Sequence, residues 1–157
     1  ASFQSSELKA FVFSRNLSIS RSSSLYSNTI RLLSISPILR NQNYYVLSKA
    51  KIDRLVISQG METLGLLYDN AYSLQEVYFP KSIKSLYNNT LSMAHSVKLI
   101  DFSCSESVPT MASATAFTNL PEDCRIVVPD ALYEEWIAAT NWATYADRIV
   151  KSSEYTE

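Results

Sequence analysis

The sequence of 157 residues has little glycine, histidine or cysteine, and each shortage excludes a kind of site. With only two glycines, the chain cannot build a glycine-rich phosphate loop. Tight turns with positive φ must therefore be rare or must use asparagine. His95 is the only histidine, and no nucleophile or carboxylate pattern surrounds it in the sequence. We interpret it as a loop residue at or near the surface, and we expect no catalytic residues.

The two cysteines, Cys104 and Cys124, do not have the spacing of a metal site. Their separation alone cannot establish the geometry that a disulfide needs. We favour two separate thiols, each buried or half-buried, over a disulfide between them, and we expect neither a metal nor a cofactor.

The chain also lacks an excess of basic residues. Lysine and arginine number 14 against 15 aspartate and glutamate, giving a net charge of −1 and a pI of about 5.9. This balance argues against nucleic-acid binding and against strong electrostatic attachment to a membrane. No apolar run reaches the roughly 18 residues of a spanning helix, and the first residues do not resemble a signal peptide. We therefore expect no nucleic-acid partner and no membrane insertion.

What the sequence does contain is a repeated strand pattern of the form apolar-x-x-apolar-x-apolar. All fifteen apolar positions of five copies are filled. In a chain that is 46% hydrophobic, the chance of such a match in one frame is on the order of 10⁻⁵. The copies begin 22 or 23 residues apart and are Leu8–Phe13, Ile30–Ile35, Ile52–Ile57, Leu74–Phe79 and Val97–Phe102.

This spacing falls within the roughly 20–29 residues of leucine-rich repeats. Equivalent strands one period apart must run parallel, and each needs a crossover to reach the next. Stacked copies then share one continuous core. The pattern predicts an α/β repeat fold, a leucine-rich-repeat solenoid with a parallel β-sheet. Between the strands we expect an irregular convex side of short strands, turns and isolated helical turns, with a second inward row that includes Leu39, Met61 and Ile83.

The pattern changes near the C-terminus. Arg125–Pro129 is predicted to be the final strand, and Asp130 the N-cap of a helix that stops at Asn141. Two apolar stripes follow at helical spacing. They are Leu132, Trp136 and Ala139, then Trp142, Tyr145 and Ile149. We predict a solenoid over 1–129, with about five repeats plus the final strand, and a short C-terminal helical cap over 130–157 packed on the last repeat.

These residues resemble the BspA-like leucine-rich repeats of bacterial surface proteins, over nearly the whole chain and most strongly from about residue 74 onward. The family pattern has a proline after the strand and an Ala-Phe pair in the return segment. Both are clear only in the later copies, and the earlier copies depart further from the pattern. The matching stretches are Leu74–Pro80 with Ile83 and Leu86, Ser107–Pro109, Ala116–Phe117, Ile126–Leu132 and Trp136–Trp142.

The resemblance implies a right-handed parallel repeat fold at the cell surface of a bacterium or secreted from one, although some relatives belong to phage or prophage. It implies binding rather than catalysis, with no cofactor. Because almost nothing precedes Leu8 to cap the first strand, we expect the chain to lack its original N-terminal part, or a partner to cover that edge.

Two columns of side chains emerge on the sheet face opposite the core, the concave face of such a solenoid. One column is Ala10, Leu32, Arg54, Glu76 and Leu99, and the other is Val12, Ser34, Val56, Tyr78 and Asp101. An opposite-charge pair across strands, as predicted for Arg54 and Glu76, contributes roughly 0.2–1 kcal/mol. Concave faces are the usual binding surfaces of repeat proteins. We predict that a protein or glycan ligand contacts four residues, Arg54, Glu76, Tyr78 and Asp101.

The sequence therefore favours a non-enzymatic binding or adhesion module with an unidentified ligand. The alternative is a structural segment of a larger surface or phage assembly with no ligand of its own, because a solvated sheet face accounts for the same side chains. Glu76 and Asp101 are the only near-neighbour carboxylates on the predicted face. A flat open sheet excludes water poorly, which disfavours a glycan hydrolase.

Overall fold

Short strands with alternating apolar residues form most of the regular structure. The computed structural model describes residues 7–8, 11–12, 29–35, 51–65 and 71–156. Within them the fold is α/β, with two parallel sheets and few helices. The strands are β1 (Glu7–Leu8), β2 (Phe11–Val12), β3 (Thr29–Ile35), β4 (Lys51–Ile57), β5 (Thr63–Leu64), β6 (Glu76–Tyr78), β7 (Ser85–Leu86), β8 (Leu99–Asp101), β9 (Thr110–Met111), β10 (Arg125–Val128) and β11 (Ile149–Lys151).

The large sheet has eight strands among the described residues, in the order β1-β3-β4-β6-β8-β10-β11, with β2 also paired to β3. All of these pairs are parallel. Leu55 pairs with Val77, which pairs in turn with Ile100. These partners lie 22 and 23 residues apart, so the predicted register is confirmed. The next step is longer, because Ile100 pairs with Ile126 across a 26-residue offset.

The segments between these strands are irregular, as predicted. β5, β7 and β9 form a second parallel sheet of three two-residue strands. The helical turns there are the 3₁₀ segments Ala71–Ser73 and Ala114–Phe117. Met61 and Ile83 of the predicted second inward row are buried, whereas Leu39 lies outside the described residues. The return path thus adds its own buried residues to the core.

The apolar positions of the pattern build one hydrophobic core. Alternation along each strand puts every second side chain on the same face of the sheet. All nine positions of the last three copies are at most 3% exposed. Phe79 and Phe102 stack across neighbouring strands, with ring centroids 4.2 Å apart and planes 10° from parallel. The buried positions are Ile52, Leu55, Ile57, Leu74, Val77, Phe79, Val97, Ile100 and Phe102.

Two tryptophans close the end of the core. The helix α1 (Tyr133–Ala138) buries Trp136, and the 3₁₀ segment Trp142–Arg148 buries Trp142. Their ring centroids lie 4.4 Å apart, and the Trp136 centroid lies 4.9 Å from that of Phe102. The indole N–H of Trp142 donates a 2.7 Å hydrogen bond to the carbonyl of Pro109. Both predicted apolar stripes therefore pack on the core.

The prediction that Arg125–Pro129 is the final strand is wrong. Within the segment predicted to be a helical cap, Ile149–Lys151 forms β11 and pairs in parallel with β10. Ile149 fits helical spacing after Tyr145, but the chain leaves the 3₁₀ segment with Ile149 already in extended geometry (φ −78°, ψ 127°). Without β11, the backbone groups at this edge of β10 would lack hydrogen-bond partners. Pairing them stabilises a strand at Ile149 more than the weak helical pattern stabilises a helix there.

Asp130 is not the helix N-cap that we predicted. A 3₁₀ segment, Asp130–Leu132, comes first, and α1 begins at Tyr133 without a side-chain cap. The Asp130 carboxylate instead accepts hydrogen bonds from the Ser152 hydroxyl at 3.0 Å and the Ser153 amide at 3.1 Å. It thereby ties the turn after β11 to the end of β10.

Asparagine does supply positive-φ positions, as the glycine shortage predicted. Asn89 has φ 59° and Asn141 has φ 67°, and Gly60 is the glycine with positive φ among the described residues. The prediction that the helix stops at Asn141 is wrong, because α1 ends at Ala138 with Ala139 in extended geometry, and Asn141 instead precedes the 3₁₀ segment Trp142–Arg148.

We expect removal of one core ring to show how strongly the stacked copies depend on one another. Phe102→Ala should lower the free energy of unfolding by about 3–5 kcal/mol, because Phe102 contacts the aromatic rings of three different segments. Tyr87→Ala is the control, since Tyr87 is 59% exposed, and it should change stability by no more than about 0.5 kcal/mol. Urea unfolding measures both. Equal losses would contradict this packing.

Candidate binding surface on the large sheet

Over β4, β6 and β8 the predicted side-chain columns form as expected on the face of the large sheet that points away from the core, whereas Ala10 lies outside the described residues. We call this the polar face and define it by Arg54, Glu76, Tyr78 and Asp101. Arg54 pairs with Glu76 across β4 and β6, and Tyr78 pairs with Asp101 across β6 and β8. Leu55 and Val77, between these positions, are buried on the opposite face. The four residues therefore share one surface.

Three of the four side chains form a closed cluster. Arg54 Nε lies 2.5 Å from Glu76 Oε2, and the Tyr78 hydroxyl donates a 2.8 Å hydrogen bond to the same oxygen. The Arg54 guanidinium also lies over the Tyr78 ring, 5.5 Å from its centroid, a distance typical of a cation–π contact. Glu76 holds both neighbours, so the positions of all three side chains are coupled.

The cluster fixes the protonation of its members at neutral pH. Burial opposes ionisation of Glu76, but hydrogen bonds from Arg54 and Tyr78 and the positive charge of Arg54 outweigh it and lower the pKa. Burial and the hydrogen bond to Glu76 raise the pKa of Tyr78 to about 12. Glu76 is therefore an anion, and Tyr78 is a neutral hydrogen-bond donor.

Asp101 lies beside this cluster but is held by a different partner. Its Oδ1 accepts a 2.6 Å hydrogen bond from the amide of Ser103, two residues further along the chain. Asp101 is partly exposed, and no lysine or arginine of the described residues forms an ion pair with it. The structure thus groups Arg54, Glu76 and Tyr78 and adds an unneutralised carboxylate next to them.

This face also has an apolar part, made of Leu99, which was predicted in the first column, and Val127, which continues the second column and was not predicted. Leu99 and Val127 are only 5% and 4% exposed, although strand alternation places them with Glu76 and Asp101 rather than in the core. Arg125 continues the first column beyond Leu99 and donates hydrogen bonds to the carbonyls of Glu122 and Cys124. Extending both columns into the predicted strand Arg125–Pro129 would have found Arg125 and Val127.

The cysteine and histidine residues that the structure describes lie apart from the polar face. Both cysteines are free thiols, as predicted, and Cys124 is buried, but Cys104 is exposed, so the expectation that it would be buried or half-buried is wrong. His95 is exposed and stacks on Tyr72 with ring centroids 5.3 Å apart, as expected for a surface loop. In the part of the chain that the structure describes, no three histidine, cysteine or acidic residues are grouped as metal ligands.

Comparisons with known proteins gave no match: no protein-family model, curated protein or solved structure matches this chain. The α-helix and 3₁₀ segments of the described residues are all too short or too polar to cross a membrane. The geometry of the polar face is therefore the basis for a functional proposal.

Burial of Tyr78 and its hydrogen bond to Glu76 are expected to raise the pKa of this tyrosine above its usual value. In a spectrophotometric titration one tyrosine should ionise with a pKa of about 12, and Tyr78→Phe should remove this late step. Glu76→Gln should lower that pKa without restoring the usual value, because burial of Tyr78 remains. Tyr87→Phe, at an exposed position, is the control and should leave the late step intact. A titration of Tyr78→Phe identical to that of the unmodified protein above pH 11 would show that the raised pKa does not belong to Tyr78.

Proposed function

We propose that this chain is a leucine-rich-repeat right-handed solenoid that acts as a non-enzymatic binding or adhesion module. We place it in a secreted or surface protein of the BspA-like class, at the cell surface of a bacterium or outside the cell. Its ligand, a protein or a glycan, contacts the polar face through Arg54, Glu76, Tyr78 and Asp101. No cofactor takes part.

The regular register supports the repeat part of this proposal. Parallel strands recur at offsets of 22 and 23 residues from β1 to β8, inside the roughly 20–29 residues of leucine-rich repeats. A second small parallel sheet follows the same offset between Leu64 and Leu86. Buried aromatic residues at the C-terminal end provide the closure that stacked repeats need.

The observation that carries the binding function is the Arg54–Glu76–Tyr78 cluster. Its side chains remain accessible, at 47% exposure for Arg54 and 30% for Glu76, yet their mutual contacts hold them in position. Ordering a flexible side chain on binding costs roughly 0.5–1.5 kcal/mol, so a cluster that is already ordered avoids part of that cost. Tyrosine and arginine are also among the residue types that dominate binding energy at protein interfaces.

The electrostatics of the same cluster favour binding over catalysis. A general acid needs a carboxyl group that keeps its proton near neutral pH. The pKa of Glu76 is lowered instead, because hydrogen bonds from Arg54 and Tyr78 outweigh the effect of its burial. Glu76 would therefore serve as a fixed hydrogen-bond acceptor rather than a proton donor.

A panel of immobilised extracellular-matrix proteins and a glycan array would test this function with three purified proteins. The unmodified chain should bind at least one member of either panel. The double variant Arg54→Ala/Tyr78→Ala should lose that binding by more than tenfold, since it removes both hot-spot side chains. The control Lys84→Ala/Tyr87→Ala changes an exposed cation and an exposed tyrosine elsewhere and should bind normally.

Two results would contradict the proposal. Equal binding by the double variant would remove the polar face from the interaction. Absence of binding to every member of both panels would favour the structural role, in which the chain is a segment of a larger assembly.

A further inference from the structure

The small parallel sheet of β5, β7 and β9 is built by one hydrogen-bonding step that repeats. At the first step, the Ser85 amide donates to the Glu62 carbonyl at 3.0 Å, and the Tyr87 amide donates to the Leu64 carbonyl at 3.1 Å. Because alternate residues of a strand point to the same side, the two carbonyls are two residues apart. β5 thus presents a pair of outward carbonyls, and the next strand supplies a matching pair of amides.

The second step, from β7 to β9, has the same form. The Thr110 amide donates to the Lys84 carbonyl at 2.9 Å, and the Ala112 amide donates to the Leu86 carbonyl at 3.0 Å. The two carbonyls are again two residues apart and again meet two backbone amides. Each strand therefore prepares an edge that the following strand of the same chain fits.

β9 is the last strand of this sheet among the described residues, and its two outward carbonyls meet side chains instead. Leu86 pairs with Met111, so the next carbonyls in the series are those of Met111 and of Pro109, two residues before it. The Asn141 side-chain amide donates to the Met111 carbonyl at 2.8 Å, and the Trp142 indole N–H donates to the Pro109 carbonyl at 2.7 Å. Two side chains therefore take the places that two backbone amides hold at each earlier step.

We call Asn141 and Trp142 the closing pair. Asn141 has φ 67°, in the left-handed region that asparagine adopts more readily than most residues. Trp142 is fully buried, with its ring centroid 4.4 Å from that of Trp136 and 5.5 Å from that of Phe102. Packing thus holds the donors in place. A strand in this position would in turn present a new row of backbone carbonyls, whereas these side chains end the series.

An open strand edge accepts strands from other molecules, and natural proteins cover such edges. The edge of β9 has the same pair of acceptors that β5 and β7 present to strands of this chain. The strands known to fit such an edge are therefore those of the chain itself. Without the closing pair, the best-matched occupant of the β9 edge is a strand of a second copy.

We propose that the closing pair prevents β9 from pairing with a strand of a second copy of this chain, and so blocks self-association at the end of the small sheet. Asn141 and Trp142 act as a contact within the molecule that occupies an edge otherwise suited to another strand. The inference goes beyond the proposed binding function, because the polar face belongs to the large sheet.

The double variant Asn141→Gly/Trp142→Phe removes both donors with little other change. Glycine adopts positive φ without strain, and phenylalanine keeps a buried aromatic ring but has no N–H. The matched control is Asn89→Gly/Tyr87→Phe. Asn89 is exposed and also has positive φ, at 59°, and Tyr87 is 59% exposed. The control makes the same kinds of change and leaves both donors to β9 in place.

Paired samples measure contact between copies directly. One copy is ¹⁵N-labelled, and the other carries a nitroxide on Cys104, the exposed thiol, since Cys124 is buried. Loss of ¹⁵N amide signal in the mixture, relative to the mixture after reduction of the nitroxide, then arises only between copies. In the double variant, the Met111 and Ala112 amide signals should lose intensity as concentration rises. Because few hydrogen bonds form, we expect a dissociation constant on the order of a millimolar.

The unmodified chain and the control should keep these two signals at every concentration. An undiminished signal at Met111 and Ala112 in the folded double variant would overturn the proposal, and so would an equal loss in the unmodified chain. If the double variant does not fold, Asn141→Gly alone decides, because it leaves the Trp142 packing intact. It should show a smaller loss at Met111, and no loss there would equally overturn the proposal.

Discussion

The parallel register of the large sheet is the constraint on which the rest of the structure depends. Each strand is too short to be stable alone, and in the described part of the large sheet its backbone groups pair with parallel strands 22 to 26 residues away. Hydrogen bonds of 2.8 Å repeat this step along the chain. They join the Gln75 amide to the Asp53 carbonyl, the Lys98 amide to the Gln75 carbonyl, and the Arg125 amide to the Lys98 carbonyl.

The same register creates the core and the polar face together. Because side chains alternate across a strand, fixing Leu55 beside Val77 also fixes Arg54 beside Glu76. A slip of one residue would move every apolar side chain of a strand out of the core. Burial of the apolar side chains on one face of the sheet therefore holds the charged side chains in position on the other face. The energy that positions the polar face comes largely from burial of side chains on the opposite side of the sheet.

The sequence was sufficient to predict the strand copies and columns because burial imposes the same spacing each time. Prediction from the sequence was wrong where the local structure depends on contacts between residues that are distant in sequence. The residues around Ile149 fit both a helix and a strand, and only the open edge of β10 decides between them. Asp130 has the local features of an N-cap, but its partners, Ser152 and Ser153, lie more than twenty residues away. The Tyr78–Glu76 hydrogen bond depends on side-chain conformations that spacing does not specify.

Cross-strand nuclear Overhauser effects between backbone protons of β4, β6 and β8 test the central claim most directly, because they report strand register without reference to any ligand. The account predicts contacts that place Arg54 beside Glu76 and Glu76 beside Leu99. Contacts that instead place Arg54 beside Gln75 or Val77 would contradict it, since either one-residue shift sends Glu76 to the core face and dissolves the polar cluster.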